Sequence, residues 1–213
     1  MNLNGGATAM RQPRFCRIGG QIMRICVYGA SSSVIDRAFI LDGEKLGREM
    51  AKRNIGLVFG AGANGLMGAA ARGVAEVGGE IIGVAPKFFN VDGMIFDGCT
   101  ELIRTETMRE RKQIMEDKAD AFIMTPGGIG TYEEFFEILT LKQLGRHNKP
   151  IAVLNTNGFY DDLLRFLDNA VEKEFMKEDC KKLYRVFADV SEMLDYIENY
   201  KDEPLDIMHF KNI

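Results

Sequence analysis

From residue 23 onward, short and almost uniformly apolar runs alternate with longer amphipathic ones, and this rhythm constrains the fold most. Strand-length runs fall at Met23–Tyr28, Gly56–Phe59, Glu80–Val84, Glu101–Arg104, Ala121–Thr125 and Ile151–Leu154, with a weaker one at Leu183–Phe187. Helices are predicted over 36–54, 65–77, 107–118, 131–145, 160–174 and 190–200. In the second of these, Leu66, Ala69, Ala70, Gly73, Val74 and Val77 recur with a period of roughly 3.6 residues. Strands apolar at nearly every position are those covered on both faces. Alternating strand and helix of this kind implies an α/β fold, a parallel sheet of about seven strands wrapped by helices. No Pro- or Ser-rich linker divides the 213 residues. One domain is expected over 23–202, between a disordered extension, 1–22, and an exposed tail, 203–213.

Glycine is the compositional outlier: 23 residues, about 11% against a usual value of roughly 7%. Much of the excess falls after predicted strands: Gly29-Ala30-Ser31-Ser32-Ser33, Gly60-Ala61-Gly62-Ala63-Asn64-Gly65-Leu66-Met67-Gly68, and Pro126-Gly127-Gly128-Ile129-Gly130-Thr131. In open parallel sheets ligands bind beyond the carboxyl ends of the strands. Backbone N–H groups of such loops, with the helix N-termini that follow, favour an anion. Gly60, Gly62 and Gly65 spell G-x-G-x-x-G, a weak dinucleotide signal here because it follows the second strand and has only Glu80 as ribose acid. A P-loop and a G-x-S-x-G nucleophile elbow are both absent. The connection from Val84 to Glu101, with Phe88, Phe89 and Met94, is unusually apolar for a loop and fits either function or packing.

Other features exclude classes. A net charge of −4 and a pI near 5.4 disfavour general nucleic-acid binding. No apolar run approaches the roughly 18 residues that span a bilayer. Arg11, Arg14 and Arg17 precede no apolar core of a secretory signal. Cys16, Cys26, Cys99 and Cys180 form no C-x-x-C pair, which suits reduced thiols in the cytoplasm. His147 and His209 are too few for a histidine-rich metal centre.

The most specific stretch is Pro126-Gly-Gly-Ile-Gly-Thr-Tyr-Glu-Glu134. Thr131 and Glu134 have the spacing of a capping box. However, Glu134 shares a helix face with Ile138 and Leu141, and the adjacent Glu133 repels it unless a cation or a task occupies both. One unit upstream, Arg111 falls on a stripe with Met108 and Met115, where a cation needs a partner. Arg109, Lys112 and Glu116 are expected to face solvent, with Lys112 and Glu116 paired. If the two helix starts adjoin, Arg111, Glu134 and the glycine loop share one pocket.

Met108–Lys112 followed by Pro126–Glu134 resembles the LOG family, whose signature is P-G-G-x-G-T-x-x-E. The resemblance runs from Met23 to about Tyr200, and includes Gly62–Gly68 and the L-G-x-H-x-K-P of Leu144–Pro150. It implies a Rossmann-like doubly wound fold, a homodimer, and hydrolysis of the N-glycosidic bond of a cytokinin or adenosine riboside 5′-monophosphate, without a cofactor. By matching position, Arg111 and Glu134 would be catalytic. Lys112, Gly127, Gly128, Gly130, Thr131, Glu133, Thr140, Met108, Ser31, Gly62 and Gly65 would bind the nucleotide. Ile129 departs from the Tyr common in plant members, and 87–100 diverges from their base-proximal loop, so base preference stays open. The alternative is a nucleotide- or molybdenum-cofactor-binding carrier on the same scaffold. The family's frequent label, lysine decarboxylase, would need a Schiff-base lysine.

Overall fold

A computed structural model describes residues 17–18, 21–89, 93–201 and 206–210. Of the expected N-terminal extension, only Arg17–Ile18 (β1) and Gln21–Ile22 (β2) are described, as a short antiparallel ladder. Seven parallel strands then form the main sheet: β3 (Arg24–Tyr28), β4 (Gly56–Phe59), β5 (Ile81–Pro86), β6 (Glu101–Thr105), β7 (Ala121–Met124), β8 (Ile151–Leu154) and β9 (Arg185–Phe187). Their spatial order is β6-β5-β4-β3-β7-β8-β9. The fold is therefore α/β and Rossmann-like.

Side chains alternate across the sheet, so the apolar strands feed two cores. Ile25, Val27, Leu57, Phe59, Ile123 and Leu154 meet α1 (Arg37–Lys52), α2 (Gly65–Val77) and α6 (Val190–Glu198) on one face. Cys26, Tyr28, Val58, Phe122, Met124 and Val153 meet α3 (Met108–Lys118), α4 (Ile129–Gln143) and α5 (Asp161–Glu172) on the other. The sheet is thus doubly wound. Edge strand β6 departs from the expectation of cover on both faces: Glu101, Leu102 and Arg104 are exposed, and no further strand among the described residues pairs beyond it. On the first face α1 and α2 pack backbone to backbone. A Cβ on Gly47 would lie 2.0 Å from the Ala70 carbonyl oxygen, and one on Gly73 2.2 Å from that of Glu44.

The chain moves outward from β3 through β6, then returns to β7 on β3's other side. The loops after β3 and β7 consequently diverge from neighbouring strands, leaving a crevice at the switch point. Ala30 N–H donates to the Pro126 carbonyl across it (3.0 Å). The long connection before β6 folds back onto the loop after β4. Ala63 N–H bonds the Met94 carbonyl, and Phe96 N–H that of Ala61. Residues 90–92 of this connection lie outside the described residues.

The described part of the C-terminal tail is not wholly exposed. Phe210 is buried against Cys180 and Leu183, and its carbonyl accepts from Gln143 Nε2 (3.1 Å). An aromatic ring has more to gain from that apolar niche than from water.

Candidate active site

Two helix starts converge on the crevice. Thr107 caps α3, accepting a hydrogen bond from Glu110 N–H, and Arg111 follows in the first turn. Helix α4 begins at Ile129, two residues earlier than predicted, with Gly128 at its N-cap and no side-chain cap. Its first N–H groups therefore carry the positive end of the helix dipole without a side-chain acceptor. This overturns the capping-box reading of Thr131 and Glu134. Thr131 is the third helical residue, and Glu134 turns inward rather than back toward the helix start.

Glu134 Oε1 instead accepts from Arg111 Nη1 at 2.9 Å, and both side chains are nearly inaccessible. Arg111 Nε donates to the Val84 carbonyl at 3.1 Å, which fixes the plane of the guanidinium. Gly60 makes room for it: a Cβ there would lie 1.8 Å from Arg111 Nη2. Burial pushes the Glu134 carboxyl above its usual range, and Arg111 opposes that shift without cancelling it. A buried ion pair adds little net stability and is costly to break, so its place in a ligand cavity points to chemistry.

The other two charges pair separately. Lys112 Nζ bonds Glu133 and also Glu137 (2.9 Å). Its expected pairing with Glu116 across one helical turn is not formed, because the two carboxylates of α4 lie closer to hand. Lys112 therefore braces α3 against α4 and does not line the cavity. Nor does Thr140, which is exposed and about 13 Å along α4 from Thr131 at the ordinary helical rise.

A cavity of about 290 Å³ brings together Ser31, Met108, Arg111, Gly128, Gly130, Thr131, Glu133 and Glu134. Gly127 and Gly65 shape it from behind. Gly127 packs on the buried Thr131 side chain, and Gly65, with φ +60°, lies where a Cβ would meet the Ala30 carbonyl oxygen at 2.3 Å. An adjoining compartment of about 220 Å³ holds Gly62 and shares Ser31, Met67, Phe89 and Arg111 with the first. Sequence reasoning did not assign Met67, Asn64, Met94 or Ile95 to the site. Met67 carried a signal, since it falls off the apolar stripe of α2. Met94 and Ile95 arrive through the long connection, which periodicity does not place. Glu80, the one acid offered for a dinucleotide's ribose, is instead paired with Arg24 (2.7 and 2.9 Å), whose strand begins at the opposite end of the sheet.

The Leu144–Pro150 segment is an anchor. Lys149 Nζ donates to the Glu116 carbonyl near the end of α3 (2.8 Å), while His147 Nε2 meets the Ile138 carbonyl of α4 (2.8 Å). Together they tie the far ends of the two helices that carry Arg111 and Glu134. Burial lowers the His147 pKa and favours a neutral ring.

Comparison with known proteins gives one consistent family. A family model described as possible lysine decarboxylase matches residues 67–197. Cytokinin riboside 5′-monophosphate phosphoribohydrolase LOG2 of Arabidopsis thaliana is 38% identical over 177 residues, 83% of each chain. The LOG phosphoribohydrolase of Oryza sativa subsp. japonica is 39% identical over 84% of this chain and 74% of its own. Among solved structures, the molybdenum cofactor binding protein of Rippkaea orientalis superposes with a TM-score of 0.64 at 20% identity, over 84% of this chain and 96% of that one. The molybdenum cofactor carrier protein of Chlamydomonas reinhardtii gives 0.62 at 23%, over 84% and 97%. At those identities the solved structures speak for the fold alone. With a family model matching more than half of its length and curated relatives above a third identical, the chain belongs to the family of the LOG proteins, described as possible lysine decarboxylases.

Proposed function

We propose that this protein hydrolyses the N-glycosidic bond of a purine riboside 5′-monophosphate of the adenosine or cytokinin type, releasing free base and ribose 5-phosphate. The observation that carries the reading is the buried Arg111–Glu134 pair opening into the same cavity as the uncapped start of α4. The phosphate dianion would sit at the N–H groups of Ile129, Gly130 and Thr131, where both hydrogen bonding and the dipole favour it. With that end fixed, the ribose lies over Glu134.

As the bond from C1′ to the base lengthens, C1′ gains oxocarbenium character. The Glu134 carboxylate stabilises that charge and accepts a proton from the attacking water. The hydroxyl ends on C1′, the base takes up one proton from solvent as it leaves, and Glu134 returns the water's proton to solvent, so one water is added across the bond. Arg111 orients Glu134 and favours its charged form, opposing the burial that disfavours it.

The names of the relatives support this reading. A carrier of an anionic cofactor would need the anion site but not the buried pair. Lysine decarboxylation with pyridoxal phosphate does not fit: it needs a lysine at the ring's aldehyde, and among the described residues no lysine lines either compartment. A homodimer accords with the exposed apolar side chains Val34, Ile129 and Phe175, and light scattering tests it. A cytoplasmic setting accords with the free thiols Cys26, Cys99 and Cys180.

The decisive experiment incubates purified protein with AMP and with an N6-prenylated AMP, and follows free base by chromatography. Glu134→Gln keeps an acceptor for Arg111 but loses the carboxylate, so turnover should fall at least about a hundredfold, as for loss of a general acid–base group, with nucleotide binding retained. Undiminished base release in that variant would remove Glu134 from the mechanism.

A further inference from the structure

Asn64 occupies the N-cap of α2, a position where asparagine is among the most favoured residues because its side chain can bond a free helical N–H. Here it makes no such bond. Asn64 is exposed and lines the compartment bounded by Gly60, Gly62, Met94 and Ile95, and no hydrogen bond to another described residue holds its carboxamide elsewhere. Into this compartment also points Arg111, 5% exposed, whose Nε and Nη1 are engaged while Nη2 lies beside Gly60 with no partner among the described residues. The walls are thus largely apolar, and the polar side chains on them are Ser31, the Asn64 carboxamide and one guanidinium arm of Arg111. That is the chemistry of a flat heteroaromatic ring: faces against Met67 and Phe89, edge against donors and acceptors.

We propose that Asn64 is a specificity-determining residue that reads the edge of the base, pairing its carboxamide with the exocyclic 6-amino group and ring nitrogen N7 of a 6-aminopurine. The inference rests on the nucleotide reading above and assigns the base to the compartment beyond Arg111, with the phosphate at α4. An asparagine presents one acceptor and two donors, which matches an amino group beside a ring nitrogen in a bidentate pair. On that edge a 6-oxopurine presents two acceptors, O6 and N7, so the Asn64 carbonyl oxygen faces an acceptor whichever way the carboxamide is turned. One N–H survives on an N6-alkylated adenine, so such bases remain readable.

The test compares wild type, Asn64→Ala and Asn64→Asp, measuring equilibrium binding of AMP and IMP by calorimetry and base release from both. Wild type should prefer AMP over IMP by at least tenfold. Asn64→Ala should bring the two nucleotides within about threefold, chiefly through KM for AMP, with kcat little changed. Folding is protected in both variants: the side chain makes no cap bond to lose, and aspartate is itself a good N-cap. Asn64→Asp keeps an acceptor for the amino group but loses the donors, so it should weaken AMP less than alanine does, and a loss as large as alanine's overturns the contact to the amino group. An unchanged AMP-to-IMP ratio in Asn64→Ala overturns the assignment, while base release by wild type would still support the hydrolase. Conversely, Asn64-dependent preference in binding without any base release keeps the base site and overturns the hydrolase. A wild type that binds neither nucleotide overturns both.

Discussion

Glu133 and Glu134 are adjacent in sequence yet live in different dielectric settings, and two adjacent cations on α3 divide them. Arg111 takes the buried carboxylate and Lys112 the exposed one. The assignment follows chemistry: a guanidinium keeps its charge when buried, whereas an ammonium is strongly hydrated and suits the rim. Glu134 was legible as unusual because it repeats with Ile138 and Leu141 on an apolar face. The orientation of Lys112 was not legible, since helical spacing offered Glu116 as well and only the packing of α3 on α4 decides. Lys112 still acts on the site at a distance, as a positive charge that lowers the Glu134 pKa. Since Glu134 works as a carboxylate, base release should rise with pH through a midpoint above the ordinary glutamate value. Lys112→Met removes a charge that favours ionisation, so the acidic limb of kcat/KM should move to higher pH. A pH profile of both proteins checks this, and an unmoved limb would show that Lys112 serves packing alone.

At the scale of elements, the chain contains two T-x-x-E sequences at helix starts, and only one is a cap. Thr107 accepts from Glu110 N–H (3.1 Å), and the Glu110 carboxylate accepts from Glu106 N–H (2.8 Å). Around Thr131 the glycines Gly127 and Gly128 allow the helix to begin before the threonine, which then sits inside the first turn with its hydroxyl under Gly127. The two are spelled alike, so the motif alone could not separate them; what distinguishes them is the steric freedom of the residues just upstream. Most helix limits were legible within two residues because the apolar stripes are strong, and the start of α4 was missed by the same amount for this local reason. Thr107→Ala should cost about 1 kcal/mol in urea unfolding, the usual worth of a lost N-cap bond. Asn64→Ala, at an N-cap with no such bond, should cost much less. Equal losses at the two positions would mean that α2 depends on a cap bond after all.

Over the whole molecule, the central strands were legible because buried parallel strands are apolar at nearly every position, but the strand order was not. Nothing in β3 or β7 announces that they are neighbours; that pairing results from the chain reversing direction after β6, and it creates the crevice. The tail was misread because its apolar residues Leu205, Ile207, Met208, Phe210 and Ile213 follow neither a strand nor a helix period over so short a stretch. Phe210 reaches the C-terminal end of α4, where it meets Cys180 and Leu183, while the cavity lies at that helix's N-terminal end. Thr131 and Gln143 are about 18 Å apart at the ordinary helical rise. Stability and chemistry should therefore separate along one helix. Phe210→Ala forfeits most of a buried aromatic side chain, about 2 kcal/mol, at the low end for a core ring because a terminal segment can peel away. Below its melting range the variant should keep kcat/KM for base release within about a factor of two, since the anchors at His147 and Lys149 still hold α4 and α3. Chemical denaturation together with steady-state kinetics on the same preparation decides it. A collapse in turnover without a loss of stability would mean that the tail communicates with the cavity, and the two ends of α4 could not then be treated as independent.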